Sequence, residues 1–176
     1  EWVNLDTLHR ESLVYILKEL NINGLTDENI DHLNKSWHRL KPWKDTLEGL
    51  NLLKTKYSIS TLSNGGIDLL SNMAKKQKLP WDNIFSAETF MHYKPDSETY
   101  LGAADKLNLL PEEVMLVAAH NQDLLAAKKY GLKTAFVLRA NEYGLHQDFD
   151  LAADKEIDVS ALNFIDLFDK LNSYNK

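Results

Sequence analysis

Hydrophobic positions along the chain change their spacing at Pro42. Before Pro42 they recur every three or four residues, which is the period of an amphipathic α-helix. Asn23 and Gly24 interrupt this pattern, and Thr26 is a residue type that commonly precedes the first turn of a helix. The first 40 or so residues are therefore predicted to form an α-helical hairpin.

After Pro42, short apolar runs alternate with helical patterns. Such alternation predicts βα units, and hence a parallel sheet with helices on both faces. The predicted strands are 57–62, 84–87, 114–119, 133–138 and 157–159. The predicted helices are 45–54, 67–77, 96–107, 122–130 and 161–171. We therefore expect an α/β core over residues 43–176, with residues 1–42 as part of a small α-helical cap.

Composition narrows the class of protein without identifying its chemistry. The chain has 176 residues, 44% apolar and 26% charged, which fits one globular domain with at most a small insertion. A net charge of −6 gives no general attraction to nucleic acid. The absence of cysteine excludes disulfides, thiolate metal ligands and a cysteine nucleophile. No apolar run approaches the roughly 20 residues of a membrane span, and no signal-peptide pattern is visible. We expect a cytoplasmic protein without nucleic-acid or membrane partners.

Polar side chains follow three of the predicted strands. Ser63 and Asn64 end the first, Lys94 follows the second after a short loop, and His120 and Asp123 follow the third. The carboxyl ends of parallel strands meet at one edge of such a sheet, where open α/β proteins bind their ligands. Together these side chains could bind an anion and transfer a proton, so they form a candidate active site.

Each of these residues also has a purely structural interpretation. Ser63 or Asn64 could cap the helix that follows, and Lys94 could be an exposed lysine before a proline. Asp123 could be a first-turn acid favoured by the helix dipole, and His120 a loop histidine. Their common position at the strand ends favours the functional interpretation.

Three segments resemble the second, third and fourth motifs of the haloacid dehalogenase superfamily: TLSNGG, HYKPDSETY and VMLVAAHNQDLLAAKKYGLKTAFV. Two others are similar to the helical cap of its 2-haloacid dehalogenase branch: WVNLDTLHR and LNKSWHRLKPW. The resemblance extends from about Trp2 to about Tyr143. It implies a Rossmann-like parallel sheet with a helical cap. It also implies hydrolysis of short (S)-2-haloalkanoic acids to 2-hydroxyacids and halide through an aspartyl ester.

The resemblance assigns roles to the residues that match the motifs. Ser63 and Asn64 would hold the substrate carboxylate, and Tyr100 would support this binding site. Lys94 would pair with the nucleophilic carboxylate and keep it ionised, because a nearby cation favours the charged form. Asp123 would hold Lys94 and help to place the hydrolytic water. The expected partner is a small halogenated carboxylate, and dimerisation is common among the relatives.

Three positions depart from the better-known patterns of the superfamily. Its phosphatases carry an acid that helps to bind Mg²⁺ where this chain has Ala119. The loss of that carboxylate favours a dehalogenase without a metal or other cofactor. The better-known dehalogenases have a serine and an asparagine where Ala118 and His120 stand. His120 is therefore a candidate base for activating water, because histidine exchanges protons near neutral pH.

The first motif of the superfamily, a strand ending in Asp-x-x-x-Thr, has no counterpart in these residues. Asp6 and Thr7 lie inside a helical pattern and are poor substitutes. We therefore expect the central strand and the nucleophile to be absent from this chain and to lie upstream of residue 1. Two alternatives remain open: a phosphatase of the same superfamily, and a truncated, non-catalytic binding protein with this fold.

Overall fold

The structure, a computed structural model, describes residues 2–174; positions 1, 175 and 176 of the two expected domains lie outside the described residues. The chain begins with two helices, α1 (Leu5–Glu19) and α2 (Asp27–Asn34), and a short 3-10 helix (Trp37–Arg39). Asn4 caps α1 by accepting a 2.9 Å hydrogen bond from the Asp6 amide. Thr26 caps α2. The predicted helical hairpin is confirmed.

Five parallel strands and six further helices follow within the described residues. The strands are β1 (Ser60–Ser63), β2 (Asn83–Ser86), β3 (Met115–Ala118), β4 (Lys133–Val137) and β5 (Val159–Ala161). The helices are α3 (Thr46–Lys54), α4 (Ile67–Gln77), α5 (Ala87–Phe90), α6 (Ser97–Leu107), α7 (Asn121–Lys129) and α8 (Phe164–Tyr174). A second 3-10 helix covers Pro111–Glu113. The predicted α/β class with parallel strands is confirmed.

The strands form two sheets instead of one. β1 pairs with β2, whereas β3, β4 and β5 form a separate sheet in that order. Within residues 2–174, β1 has one paired neighbour and β3 has one paired neighbour, and no pairing joins these two strands. The side of β1 away from β2 and the side of β3 away from β4 thus have no strand partner among the described residues.

β4 lies at the centre of the hydrophobic core. Ala135 and Val137 point to one face, where they pack with buried residues of α3, β5 and α8. Phe136 points to the other face and packs with Tyr100 of α6 and Leu124 of α7. Successive side chains of a strand alternate between faces, so β4 connects both halves of the core. The helices on both sides thereby hold the carboxyl end of β4 in place.

The N-terminal hairpin and the residues before it contact the loop between α5 and α6 and helix α4. The Tyr93 hydroxyl donates a 2.7 Å hydrogen bond to the carbonyl of Val3. The buried His38 lies 2.8 Å from an Asp6 carboxylate oxygen through Nε2 and 3.0 Å from the Asn72 amide nitrogen through Nδ1. These contacts attach the hairpin to the first sheet and its helices. No helix of residues 2–174 has both the length and the apolar character needed to cross a membrane.

Candidate active site

Lys94 and Asp123 form an ion pair that joins the two sheets. Lys94 lies in the loop between α5 and α6, and its Nζ donates to Oδ2 of Asp123 in the first turn of α7, the helix that follows β3. Each side chain is only 18% exposed. Lys94 is therefore not an exposed surface lysine. Asp123 is a first-turn residue of α7, and it also binds Lys94. The pair places a cation and a carboxylate where the carboxyl ends of both sheets meet.

Tyr100 binds the second oxygen of the same carboxylate. It projects from α6 and is fully buried, and its hydroxyl donates a 2.7 Å hydrogen bond to Oδ1 of Asp123. Burial, and then this hydrogen bond, raise the pKa of Tyr100 well above its ordinary range. The phenol therefore remains a hydrogen-bond donor. Asp123 is held by one donor on each oxygen, which fixes its orientation and that of Lys94.

Asn64 binds the backbone of Lys94. The Lys94 amide donates a 2.8 Å hydrogen bond to Oδ1 of Asn64, and Nδ2 of Asn64 donates to the Lys94 carbonyl at 3.3 Å. Both ends of the Asn64 amide are thus engaged with one residue of the neighbouring loop. In this structure Asn64 positions Lys94, and the predicted contact with a substrate carboxylate stays a prediction.

Ser63 is the last residue of β1, and its side chain stabilises the turn that follows. Its Oγ accepts a 3.1 Å hydrogen bond from the Gly65 amide, which leaves the hydroxyl proton available for donation to an anion. Gly66, not Ser63 or Asn64, is the N-cap residue of α4. The helix-cap interpretation of these two residues is therefore wrong. Ser63 remains a candidate donor to a substrate carboxylate.

His120 precedes α7 as its N-cap residue and lies outside the Lys94 network. Within residues 2–174, no hydrogen bond joins it to Lys94 or Asp123. Its Nε2 lies 3.1 Å from Oε2 of Glu142 and 3.3 Å from the Tyr143 hydroxyl, both in the segment that connects β4 to β5. The sequence patterns did not indicate Glu142, because that segment has no regular periodicity.

A second partly buried ion pair, between Arg139 and Asp45, was also missed from the sequence. Arg139 follows β4, and its two terminal nitrogens donate to the two oxygens of Asp45 at 3.1 and 3.0 Å. Its guanidinium lies 5.4 Å from the ring centres of both Trp43 and Phe164. Burial disfavours ionisation of Asp45, but the hydrogen bonds from Arg139 and the Phe164 amide outweigh it and hold the pKa of Asp45 below its ordinary range. The pair fixes the start of the segment that carries Glu142.

The described residues contain no group of three or more His, Asp or Glu side chains placed to hold a metal ion. Ala119 lies between β3 and α7, beside the paired Asp123, and contributes no oxygen ligand from its side chain. Lys94 is the cation that contacts Asp123 in the described part of the chain. The geometry suits the binding of an anion. It also places the Lys94 ammonium group where it could stabilise a second, reactive carboxylate.

Comparison with known proteins places this geometry in a family. The sequence profile of the haloacid dehalogenase-like hydrolases matches residues 3–137. The chain belongs to this family. Within the family, its similarity is to the 2-haloacid dehalogenases.

Relatives with known names or structures support that branch. The (S)-2-haloacid dehalogenase 4A of Burkholderia cepacia is 34% identical over 148 residues, which are 81% of this chain and 61% of that protein. The solved structure of the defluorinating L-2-haloacid dehalogenase Rha0230 has a TM-score of 0.95 and 46% identity, covering 98% of this chain and 71% of its own. The solved structure of the L-2-haloacid dehalogenase PA0810 has a TM-score of 0.94 and 46% identity, and the match covers 97% of this chain and 75% of that protein's chain. This chain spans about three fifths of the length of the curated relatives that it matches.

Proposed function

We propose that the protein hydrolyses short (S)-2-haloalkanoic acids to 2-hydroxyacids and halide. The observation that carries this proposal is the Lys94–Asp123–Tyr100 network at the carboxyl ends of the strands. Both the curated relative from Burkholderia cepacia and the similar solved structures are named as 2-haloacid dehalogenases, which supports the substrate class. The residues that would act on this substrate are Lys94, Asp123, His120, Ser63, Asn64 and Tyr100.

The nucleophile in this proposal is an aspartate on a strand that lies between β1 and β3. Both strands have an unpaired side within the described chain, and buried backbone groups need hydrogen-bond partners. An aspartate at the carboxyl end of such a strand would lie between Ser63 and the Lys94–Asp123 pair. Lys94 would then favour the ionised form of that aspartate, as a nearby cation does.

The reaction has two covalent steps. First, a carboxylate oxygen of the aspartate attacks C2 of the substrate, and the carbon–halogen bond breaks with its electron pair leaving on halide. Second, water attacks the carbonyl carbon of the aspartyl ester and gives a proton to a base as it does so. The ester C–O bond then breaks, the 2-hydroxyacid receives that proton on its new alkoxide, and the aspartate is regenerated when its carboxyl group releases the other water proton to solvent. Asp123 would orient Lys94 for the first step, and His120 is the proposed base for the second.

The surroundings of the site complete the proposal. Residues 1–42 would form part of the cap over the substrate and residues 43–176 the core, with the contacts of Val3 and His38 joining them. We also propose that the protein is cytoplasmic, that it forms a homodimer and that it has no nucleic-acid partner. Neither a metal nor an organic cofactor takes part in the proposed steps.

Halide release from the complete natural protein tests the proposal. We expect chloride or bromide to be released from (S)-2-chloropropanoate or (S)-2-bromopropanoate, at a rate that EDTA does not change. Hydrolysis of a phosphate ester that requires Mg²⁺, without halide release, would instead identify a phosphatase. Binding of 2-haloacids without turnover of any substrate would favour the non-catalytic alternative.

A further inference from the structure

A carboxylate from the segment between β4 and β5 lies against the proposed base. Oε2 of Glu142 is 3.1 Å from Nε2 of His120, and the Tyr143 hydroxyl is 3.3 Å from the same nitrogen. The side chains of His120 and Glu142 are 41% and 31% exposed. Exposed ion pairs contribute little by themselves, because two flexible side chains must be ordered in water. The contact therefore gains importance only if the segment that carries Glu142 is held in place.

The first anchor of this segment is Arg139. Its guanidinium is fixed by the two hydrogen bonds to Asp45, and the side chains of this pair are only 10% and 16% exposed. The Glu142 amide donates a 3.1 Å hydrogen bond to the Arg139 carbonyl. Glu142 thus lies in a turn that begins at an immobilised residue.

The second anchor lies directly beside His120. Oδ1 of Asp150 accepts hydrogen bonds from the backbone amide of Asn121 at 3.0 Å and from its side-chain nitrogen at 2.9 Å. The same side-chain nitrogen donates to the Ala152 carbonyl at 2.9 Å, and Oδ1 of Asn121 accepts from the Asp154 amide at 2.8 Å. The returning part of the segment is therefore attached to the residue that follows His120. Glu142 and His120 are held together from both sides.

We propose that Glu142 is a positioning residue that selects the reactive tautomer of His120; this inference rests on the proposed dehalogenase function. An ionised carboxylate only accepts hydrogen bonds, so the nitrogen that binds it, Nε2, carries the hydrogen. In the neutral imidazole, Nδ1 then has the free lone pair. Nδ1 takes a proton from the hydrolytic water as the water oxygen attacks the ester carbonyl carbon. The same proton then passes to the departing alkoxide of the 2-hydroxyacid, and the regenerated aspartate returns the other water proton to solvent.

The test combines transient kinetics with ¹⁵N NMR of the histidine ring in the complete natural protein. Glu142→Ala removes the acceptor, whereas Glu142→Gln keeps an acceptor oxygen without the charge. Asp148→Ala is the matched control, because Asp148 is an exposed carboxylate of the same segment without a hydrogen-bond or ionic partner in residues 2–174. Two kinetic quantities are measured. The first is the halide burst in the first turnover, and the second is the rate of ester breakdown, for which mass spectrometry monitors the amount of aspartyl ester over time.

We expect Glu142→Ala to slow ester breakdown at least about tenfold with an unchanged burst, since general-base assistance as a whole contributes about 10²–10⁴-fold. In this variant the neutral His120 ring should change from the Nε2–H tautomer to a mixture of the Nε2–H and Nδ1–H tautomers. Glu142→Gln should restore much of the Nε2–H population and much of the rate of ester breakdown. An unchanged tautomer or unchanged ester breakdown in Glu142→Ala would overturn the inference. Absence of a halide burst in the unsubstituted protein would instead reject the proposed function, whichever tautomer the NMR spectrum reports.

Discussion

Asp123 binds a different donor with each of its carboxylate oxygens. Lys94 comes from the loop between α5 and α6, and Tyr100 comes from the buried face of α6, so the Asp123 side chain of α7 connects three elements. A neutral amide at this position would keep the shape but lose the charge that holds the ammonium group. The orientation of Lys94 should therefore depend strongly on Asp123.

We predict that Lys94→Met and Asp123→Asn each lower halide release by about a hundredfold or more, in the range known for removing a preorganised charged or hydrogen-bonding group. Lys94→Met leaves the proposed nucleophile without its cation, and Asp123→Asn loosens Lys94. Initial rates of halide release in the complete natural protein measure the effect, with Asp148→Ala as the control. Turnover near that of the unsubstituted protein in either variant would restrict the residue to a structural role.

Asn64 and Ser63 can be separated by their effects on kcat and KM. Because Asn64 binds both backbone groups of Lys94, we expect Asn64→Ala to lower kcat by about 10- to 100-fold, since small displacements of a catalytic group have effects of this size. Its KM should change little. Ser63→Ala should mainly raise KM, because it removes a donor to the substrate carboxylate. Steady-state kinetics test both variants, and a raised KM with unchanged kcat in Asn64→Ala would assign Asn64 to substrate binding instead.

The sequence predicted that Lys94 and Asp123 lie at one edge of the sheet, but it did not predict the contacts that hold them there. Lys94 and Asp123 were identified because they follow strands of a parallel sheet. The contact between Asn64 and the Lys94 backbone depends on the path of a loop 30 residues away in the chain, which no local pattern encodes. Glu142 was missed for the same reason, since only the folded segment between β4 and β5 brings it to His120.

At the scale of elements, α3 and α8 pack closely through Gly49. A Cβ atom added at Gly49 would lie 2.9 Å from the backbone carbonyl carbon of Phe164, which cannot move without displacing α8. In an unhindered helix, alanine is more favourable than glycine by about 0.5–1 kcal/mol. For Gly49→Ala, helix propensity therefore predicts a gain in stability, whereas packing against α8 predicts a loss.

We predict that Gly49→Ala lowers the free energy of unfolding by about 1–3 kcal/mol, the usual cost of overpacking a tight contact. Chemical denaturation of the complete natural protein measures this change. Glu48→Ala, on the exposed face of the same helix, should leave the stability nearly unchanged. A stabilised Gly49→Ala variant would mean that α3 and α8 are farther apart than in this structure.

The Arg139–Asp45 pair should make stability depend on pH. The folded-state pKa of Asp45 lies below its ordinary range, so the carboxylate contributes stability above its unfolded pKa. This contribution is lost as the pH falls through the folded-state pKa. Asp45→Asn should lower the free energy of unfolding by about 1–3 kcal/mol at neutral pH, because Arg139 then loses a charged acceptor. Denaturation curves at neutral and acidic pH should show this difference shrinking in acid; a difference that is independent of pH would contradict the assignment.

Element types were predictable from periodicity, whereas several boundaries were not. The first strand begins at Ser60 instead of the predicted 57, because the Tyr57 amide still donates to the Leu53 carbonyl at the end of α3. The short helix α5 was not predicted, since its four residues are too few to show a helical period. The segment between β4 and β5 likewise has no periodic pattern, although side-chain hydrogen bonds hold it.

At the scale of the whole molecule, the candidate active site lies at one edge shared by the two sheets, although no strand pairing joins them within residues 2–174. The Lys94–Asp123 pair and the Tyr100 hydrogen bond connect the loop between α5 and α6, helix α6 and the start of α7. Side chains thus link the halves at the carboxyl ends of the strands. The proposed strand between β1 and β3 would add backbone hydrogen bonds along their whole length.

We predict that all amides of β1 and β3 are protected from hydrogen exchange in the complete natural protein. In a parallel sheet, alternate N–H groups of a strand point to its two neighbours, so a strand paired on one side protects only every second amide. β2 has β1 as its neighbour within the described chain and serves as the internal control, with an expected alternating pattern. Amide exchange followed by NMR distinguishes the two patterns residue by residue. Alternating protection in β1 and β3 as well would show that no strand lies between them, and the proposed position of the nucleophile would then be wrong.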